Sequence, residues 1–144
     1  MYLFKTIKLS FIFILLLTSC KPAKFQYKSY EPVLITELLE TPEQYDGSKV
    51  QLKGFITGAG GVAPLLYSNE KAMLEGKVNK AIHVNMREMG QPEIYWGCGG
   101  KFISVLGTLK KASSTLTVDL ILTDIIELKV IGNGQSECPN YERR

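Results

Sequence analysis

The chain holds one histidine, His83, and three cysteines, Cys20, Cys98 and Cys138. These four residues bound the chemistry open to it. A Ser-His-Asp or Cys-His nucleophilic site would have to be built around His83, because each needs an imidazole to take the proton. His83 lies in Ala81 to Met86, where Ile82, Val84 and Met86 alternate with His83 and Asn85, and no catalytic motif accompanies it. That pattern favours a surface histidine. A zinc site from His83, Cys98 and Cys138 would need a fourth ligand or a water. Asp119, Asp124 and Glu127 fall close together and could supply a carboxylate pair or calcium oxygens, but they lack calcium-loop spacing. We expect no metal and no catalytic residue. Gly58-x-Gly60-x-x-Ala63 has the letters of a dinucleotide fingerprint, which must open a helix, yet Pro64 and an extended run follow it. Gly100-Lys101 has neither the earlier glycine nor the following Ser or Thr of a phosphate loop. The remaining candidate is an aromatic and basic set: Lys53, Phe55, Tyr67, Tyr95, Trp96 and Lys101. It could form a binding surface that stacks oligosaccharide or single-stranded nucleic acid. Ordinary core and loop packing is the plainer account of the same residues.

Cys20 belongs to a different pattern. Lys5 and Lys8 precede an apolar run from Phe11 to Leu17, the layout of a secretory signal with a basic start and a short apolar stretch. The run is too short to span a bilayer, which needs about 20 apolar residues. Leu17-Thr18-Ser19-Cys20 closes it and resembles the lipobox of bacterial lipoproteins. The resemblance implies a signal peptide over 1–19 and a covalent lipid on Cys20, an S-diacylglyceryl group with an N-acyl chain. Palmitate is the expected label for such acyl chains. Burial of about 0.8 kcal/mol per CH2, over two or more chains, makes such an anchor stable. An ordinary signal peptide or an N-terminal anchor helix is the alternative. Lys21 follows the cysteine, and the absence of Asp there resembles the default of lipoproteins sent to the outer membrane, facing the periplasm.

With Cys20 lipidated, Cys98 and Cys138 remain as an even pair in an exported chain, where the compartment is oxidising, and we read them as one disulfide. The formal charge of +3 falls to +1 once Lys5 and Lys8 leave with the leader. Neither that balance nor export suits nucleic acid. A chain starting at Cys20 has the size of one domain.

Residues 20–32 read as a tether, with Lys21, Lys24 and Lys28 among Phe25, Tyr27 and Tyr30 and no sustained apolar period. Residues 33–144 are the folded domain and its tail. Apolar residues at 34, 35, 38 and 39 predict a short helix in Val33 to Glu40, with Thr36 available as its cap. Thr41-Pro42 opens a second helical turn that Asp46-Gly47 stops. Val50 to Thr57 alternates as a half-buried strand, with Val50, Leu52, Gly54 and Ile56 on one face. Val62 to Tyr67 is a strand interrupted early by Pro64, and Ser68 or Asn69 caps a helix through Leu74. Ala81 to Met86 is a strand, Arg87 to Gly100 a long loop, Lys101 to Leu109 a strand, and Leu116 to Ile131 a last strand or hairpin bending at Thr123-Asp124. Gly132-Asn133-Gly134 then ends the domain.

Two stretches share one pattern. Val50 to Ile56 and Ile103 to Leu109 each run apolar, any, apolar, any, glycine, any, apolar, with Lys49 one residue before the first and Lys101 two before the second. Glycine inside a strand marks a bend or a close backbone approach, which small barrels need where a strand curls. This order of elements, with Val-x-Leu-x-Gly and Ile-x-Val-x-Gly-Thr, resembles small bacterial proteins with an OB-fold. It implies a mainly β, five-stranded Greek-key barrel with short helices, although a six-stranded sandwich fits the same pattern. Such a fold hosts unrelated functions. The expectation is a non-enzymatic, membrane-anchored binding module for a protein or glycan partner of the cell envelope. A small envelope hydrolase or metal-dependent enzyme is the alternative.

Overall fold

The computed structural model describes residues 29–58, 64–112, 118–132 and 138–143. The leader, Cys20, most of the tether, the glycine loop at 59–63 and the Asn133-Gly134 stop lie outside the described residues. The described strands are β1 (Glu31–Pro32), β2 (Lys49–Ile56), β3 (Leu65–Tyr67), β4 (Ala81–Val84), β5 (Phe102–Lys111), β6 (Leu120–Val130) and β7 (Tyr141–Glu142). The short helices are α1 (Ile35–Glu40), α2 (Glu70–Leu74) and α3 (Pro92–Gly97).

Alternation dictates the barrel. Along β2 the buried positions are Val50, Leu52, Gly54 and Ile56, and along β5 Ile103, Val105, Gly107 and Leu109 lie inward beside them. β2 pairs antiparallel with both β3 and β5, β3 with β4, and β5 with β6, while β4 runs parallel to β6. The ring β2-β3-β4-β6-β5 therefore closes on β2, a five-stranded OB-like Greek-key barrel. Closure leaves these five strands without a long open edge. Ile35 and Leu38 of α1, together with Met86, Met89, Ile94 and Cys98, join the barrel interior in one apolar core.

The two strand glycines are where chains pass closely. A Cβ on Gly54 would collide with the Tyr67 carbonyl oxygen and stand 2.8 Å from Ile35 Cδ1. One on Gly107 would stand 2.8 Å from the Thr123 carbonyl oxygen and 3.0 Å from Leu122 Cγ. Gly107 also marks the register shift between β5 and β6. Across from it Asp124 holds φ +49°, and this bulge is the bend expected at Thr123-Asp124. β6 is consequently one long bent strand and not a hairpin.

Several boundaries differ from expectation. α1 begins at Ile35, so Thr36 lies inside it, and Leu34 holds the cap position with no side-chain hydrogen bond. Thr41 does not cap either; its hydroxyl turns back to donate to the Glu37 carbonyl at 3.4 Å. The stretch 87–100 is not a plain loop, because it carries a 3-10 turn over Met86–Met89 and then α3. Pro92 sits in the first turn of α3, where its missing N–H leaves no helical bond unmade. The turn also takes Met86 out of β4 while keeping it buried. α2 follows expectation, with Asn69 Oδ1 accepting from the Ala72 N–H at 2.8 Å.

Candidate functional site

The residues between the core positions of β2 point outward, and the register sets them in rows across three strands. Phe55 faces Phe102 of β5, and the Ile131 N–H donates to the Phe102 carbonyl at 2.8 Å, which places Ile131 beyond them. Lys53 faces Ser104, which on its other side faces Lys129 of β6. Gln51 faces Leu106, which faces Glu127. The first row is apolar, with the two phenylalanine rings 4.9 Å apart and tilted by 48°, a geometry that ring quadrupoles favour. The second row is basic around a serine. Ser104 Oγ accepts from Gln51 Nε2 at 3.0 Å, and Lys129 Nζ donates to Glu127 Oε2 at 2.7 Å. That hydrogen bond, against a smaller opposing effect of burial, raises the pKa of the Lys129 ammonium. Ser104 and Leu106 are buried and make a packed floor under the exposed Lys53.

The structure gathers part of the expected aromatic and basic set. Lys53 and Phe55 share this face, and exposed Lys101 stands at its phenylalanine end, its carbonyl accepting from the Ile56 N–H at 3.0 Å. Trp96 is 69% exposed near the end of α3. That end of α3 meets the end of β2: the Gly100 N–H donates to the Ile56 carbonyl at 2.7 Å, and a Cβ on Gly99 would stand 2.8 Å from Gly58 Cα. The Tyr95 side chain lies outside the described residues. Tyr67 is a correction. It is 1% exposed, packed with Leu65, Ala72, Ala81 and Val118 in a second small core, so it cannot serve an open surface. α2 covers it. The sequence reading missed Phe102, Ser104, Lys129 and Ile131. Carrying the alternation of β5 to its outward positions would have found Phe102 and Ser104.

The other candidates do not converge on one centre. His83 is half-buried between Leu65 of β3 and Ile121 of β6, and its Nδ1 has no hydrogen-bond partner. Burial, helped by the Arg87 charge, lowers its pKa. Asp124 spans a corner of the barrel: its N–H donates to Glu88 Oε2 at 2.7 Å and its carboxylate lies 3.5 Å from Lys110 Nζ. Glu127 is taken by Lys129, and the Asp119 carbonyl accepts from the Ala112 N–H at 2.9 Å. Cys98 and Cys138 are joined and buried, with Cα atoms 4.5 Å apart, which withdraws both thiols from any zinc set. The bond ties the end of α3 to the tail that adds β7 beside β6. No protein-family model and no curated protein matches the sequence.

Proposed function

We propose that the protein is a lipid-anchored, exported lipoprotein whose OB-like barrel is a non-enzymatic binding module for a protein or another component of the cell envelope. The observation that carries this reading is the buried bond between Cys98 and Cys138. Disulfides of this kind persist in exported proteins. Of the three cysteines in the sequence, the bond takes two and leaves Cys20, in its Leu-Thr-Ser-Cys context, outside it. The lipid on Cys20 then holds the chain to the membrane, with the outer membrane facing the periplasm as the proposed place. It is the only nonprotein group in this reading.

Docking falls to the outer face of β2, β5 and β6. Its apolar row and its basic row offer contact area and charge on one rigid sheet, and at an interface the buried aromatic residues carry most of the energy. Because Glu31–Pro32 are strand β1 on the barrel, the tether is the ten residues from Lys21 to Tyr30, which at full extension would span about 33 Å, enough to hold the barrel clear of the headgroups. The test is metabolic labelling with palmitate combined with a photo-crosslinking residue at position 53. The reading expects label on Cys20 and one discrete crosslinked species in the membrane fraction.

A further inference from the structure

β1 runs parallel to β2, with Glu31 beside Val50 and Pro32 beside Gln51. The chain therefore enters the barrel from the Lys49 end of β2. The row of Phe55, Phe102 and Ile131 lies at the other end, about 20 Å away by the rise of a strand. The two ends differ in charge. At the entry end Lys110 and Lys111 are spent on Asp124 and Glu43. Lys49 is left there against Glu31, Asp46 and Asp119, and the Tyr45 hydroxyl, which donates to Glu37 Oε1 at 3.1 Å, brings in a further carboxylate. At the far end Lys53, Lys101 and Lys129 stand against Glu127, which Lys129 holds, and Glu142 of β7 beside it. An anionic surface thus attracts the far end and repels the entry end.

The far end is also layered. Its extremity is apolar: Phe55 and Phe102 stack there, Ile131 is exposed, and exposed Trp96 stands on the adjoining end of α3. Lys53 and Lys129 are one row back, two residues along their strands, which is about 7 Å. An apolar edge sinks about 5–10 Å into the boundary between headgroups and acyl chains, so ammonium groups set back by that distance meet the phosphates. Lys101 starts nearer the tip, and its long stem carries its charge outward to the same level. Tryptophan suits this depth, with its ring in the apolar layer and its N–H in the wet one. A protein partner can match these side chains in any order. A lipid surface demands the order seen, apolar first and basic behind.

We propose that the partner of the β2, β5 and β6 face is the headgroup surface of the leaflet that holds the Cys20 lipid, and that anionic phospholipid is the component it recognises. This rests on the reading of Cys20 as the anchor. The tether permits it. Ten residues reach about 33 Å at full extension, more than the roughly 20 Å between the two ends of β2, so the barrel can turn its far end down to the bilayer that anchors it. Lys21, Lys24 and Lys28 add to the attraction. The barrel is then held at two points, the lipid and the tip, and its acidic end is raised toward the aqueous side.

Trp96 is the only tryptophan of the chain, so tryptophan fluorescence reports on this tip alone. The test places the full processed chain in vesicles of phosphatidylethanolamine and phosphatidylglycerol whose acyl chains carry bromine as quencher. Trp96 emission should be quenched there, and much less in brominated phosphatidylcholine or in high salt, which screens the attraction. Lys53→Ala and Lys101→Ala should each lower the ratio of quenched to unquenched Trp96 about fivefold, the weight of one lysine near an anionic surface. Emission untouched by bromine would overturn the proposal, as would equal quenching in both lipids. In cells grown with radioactive phosphate, a photo-crosslinker at position 55 should gain a phosphorus label that phospholipase removes. The diacylglyceryl and acyl groups on Cys20 contain no phosphorus and cannot mimic it. A protein adduct without that label would assign the face to a protein partner instead. Palmitate labelling separates the two failures: a labelled chain whose Trp96 is not quenched overturns the lipid contact alone, whereas a chain that takes up no palmitate overturns the anchor and the contact together.

Discussion

Gly107 faces the carbonyl of Thr123 so closely that a single added methyl would come within 2.8 Å of the oxygen. Gly54 meets the Tyr67 carbonyl in the same way. Both obstacles are backbone atoms of neighbouring strands, which cannot swing aside as a side chain can. Gly54→Val and Gly107→Val should therefore each destabilise the protein by about 2–3 kcal/mol, the upper range for overpacking. Chemical denaturation of both variants beside wild type checks this. A loss below about 1 kcal/mol, the ordinary effect of a substitution, would show that the strands part easily.

The disulfide closes a loop between positions separated by 40 residues. In the chain-entropy model a loop of that length contributes about 4 kcal/mol. Alkylation of the purified exported protein without prior reduction should find no free thiol at Cys98 or Cys138. The double variant Cys98→Ala, Cys138→Ala should lower the denaturant midpoint accordingly. It should also free the tail, so that the amide of Tyr141 in β7 loses protection before the amides of β5.

Much of this fold was legible in the sequence because alternation and glycine placement act through local geometry. Val50, Leu52, Gly54 and Ile56 pointed inward as a period of two requires, and the repeat in Lys101 to Leu109 marked Gly107 as a second close approach. Pairing partners were not legible. That Phe55 lies beside Phe102, and Lys53 beside Ser104 and Lys129, follows from register between strands some fifty residues apart, which no local pattern encodes. Tyr67 shows the same limit. The sequence offered it for an open binding surface, and only the fold of the following segment shows that α2 covers it. α3 was missed because Pro92 and the glycines at 90, 97, 99 and 100 suggested a loop, whereas Gly90, at φ +65°, ends one turn and Pro92 starts the next.

His83 gives stability a pH dependence of definite sign. Burial first, and the Arg87 charge second, lower its folded pKa below the ordinary 6.5. Between the two values the unfolded chain binds more protons than the folded one, so stability rises with pH there. The contribution is complete above pH 6.5 and is lost as pH falls toward the folded value. The thermal midpoint should drop from pH 7.5 to pH 5 more in wild type than in His83→Gln, which cannot charge. Equal drops in the two proteins would assign the whole dependence to carboxylates.

His83→Ala also separates the binding reading from its enzymatic rival. The variant should keep the envelope phenotype of wild type, since no step of a docking function needs an imidazole. Loss of that phenotype in a folded His83→Ala protein would promote a hydrolase or metal-dependent enzyme, in which His83 would be the one irreplaceable base or ligand.

Anchoring and docking can be separated by variants that touch one and spare the other. Cys20→Ala removes the thiol that the diacylglyceryl group needs, so it should take up no palmitate, remain unprocessed and leave the barrel intact. Lys53→Glu combined with Trp96→Ala reverses one charge in the basic row and removes a side chain that is 69% exposed near the adjoining end of α3. Surface changes of this kind usually shift stability by no more than about 0.5 kcal/mol, so folding and lipidation should persist. Capture by a photo-crosslinker at position 55 should then weaken, because a charge reversed at an interface opposes the partner it once attracted. A crosslinker at Glu43 gives the control, since that residue pairs with Lys111 at 3.2 Å at the other end of β5. If position 43 captures the same species as strongly as position 55, or if the double variant keeps full capture at 55, the partner is not held by the rows of Phe55 and Lys53. Label on the Cys20→Ala protein would remove the anchor in turn, and with it the assignment of the barrel to the envelope.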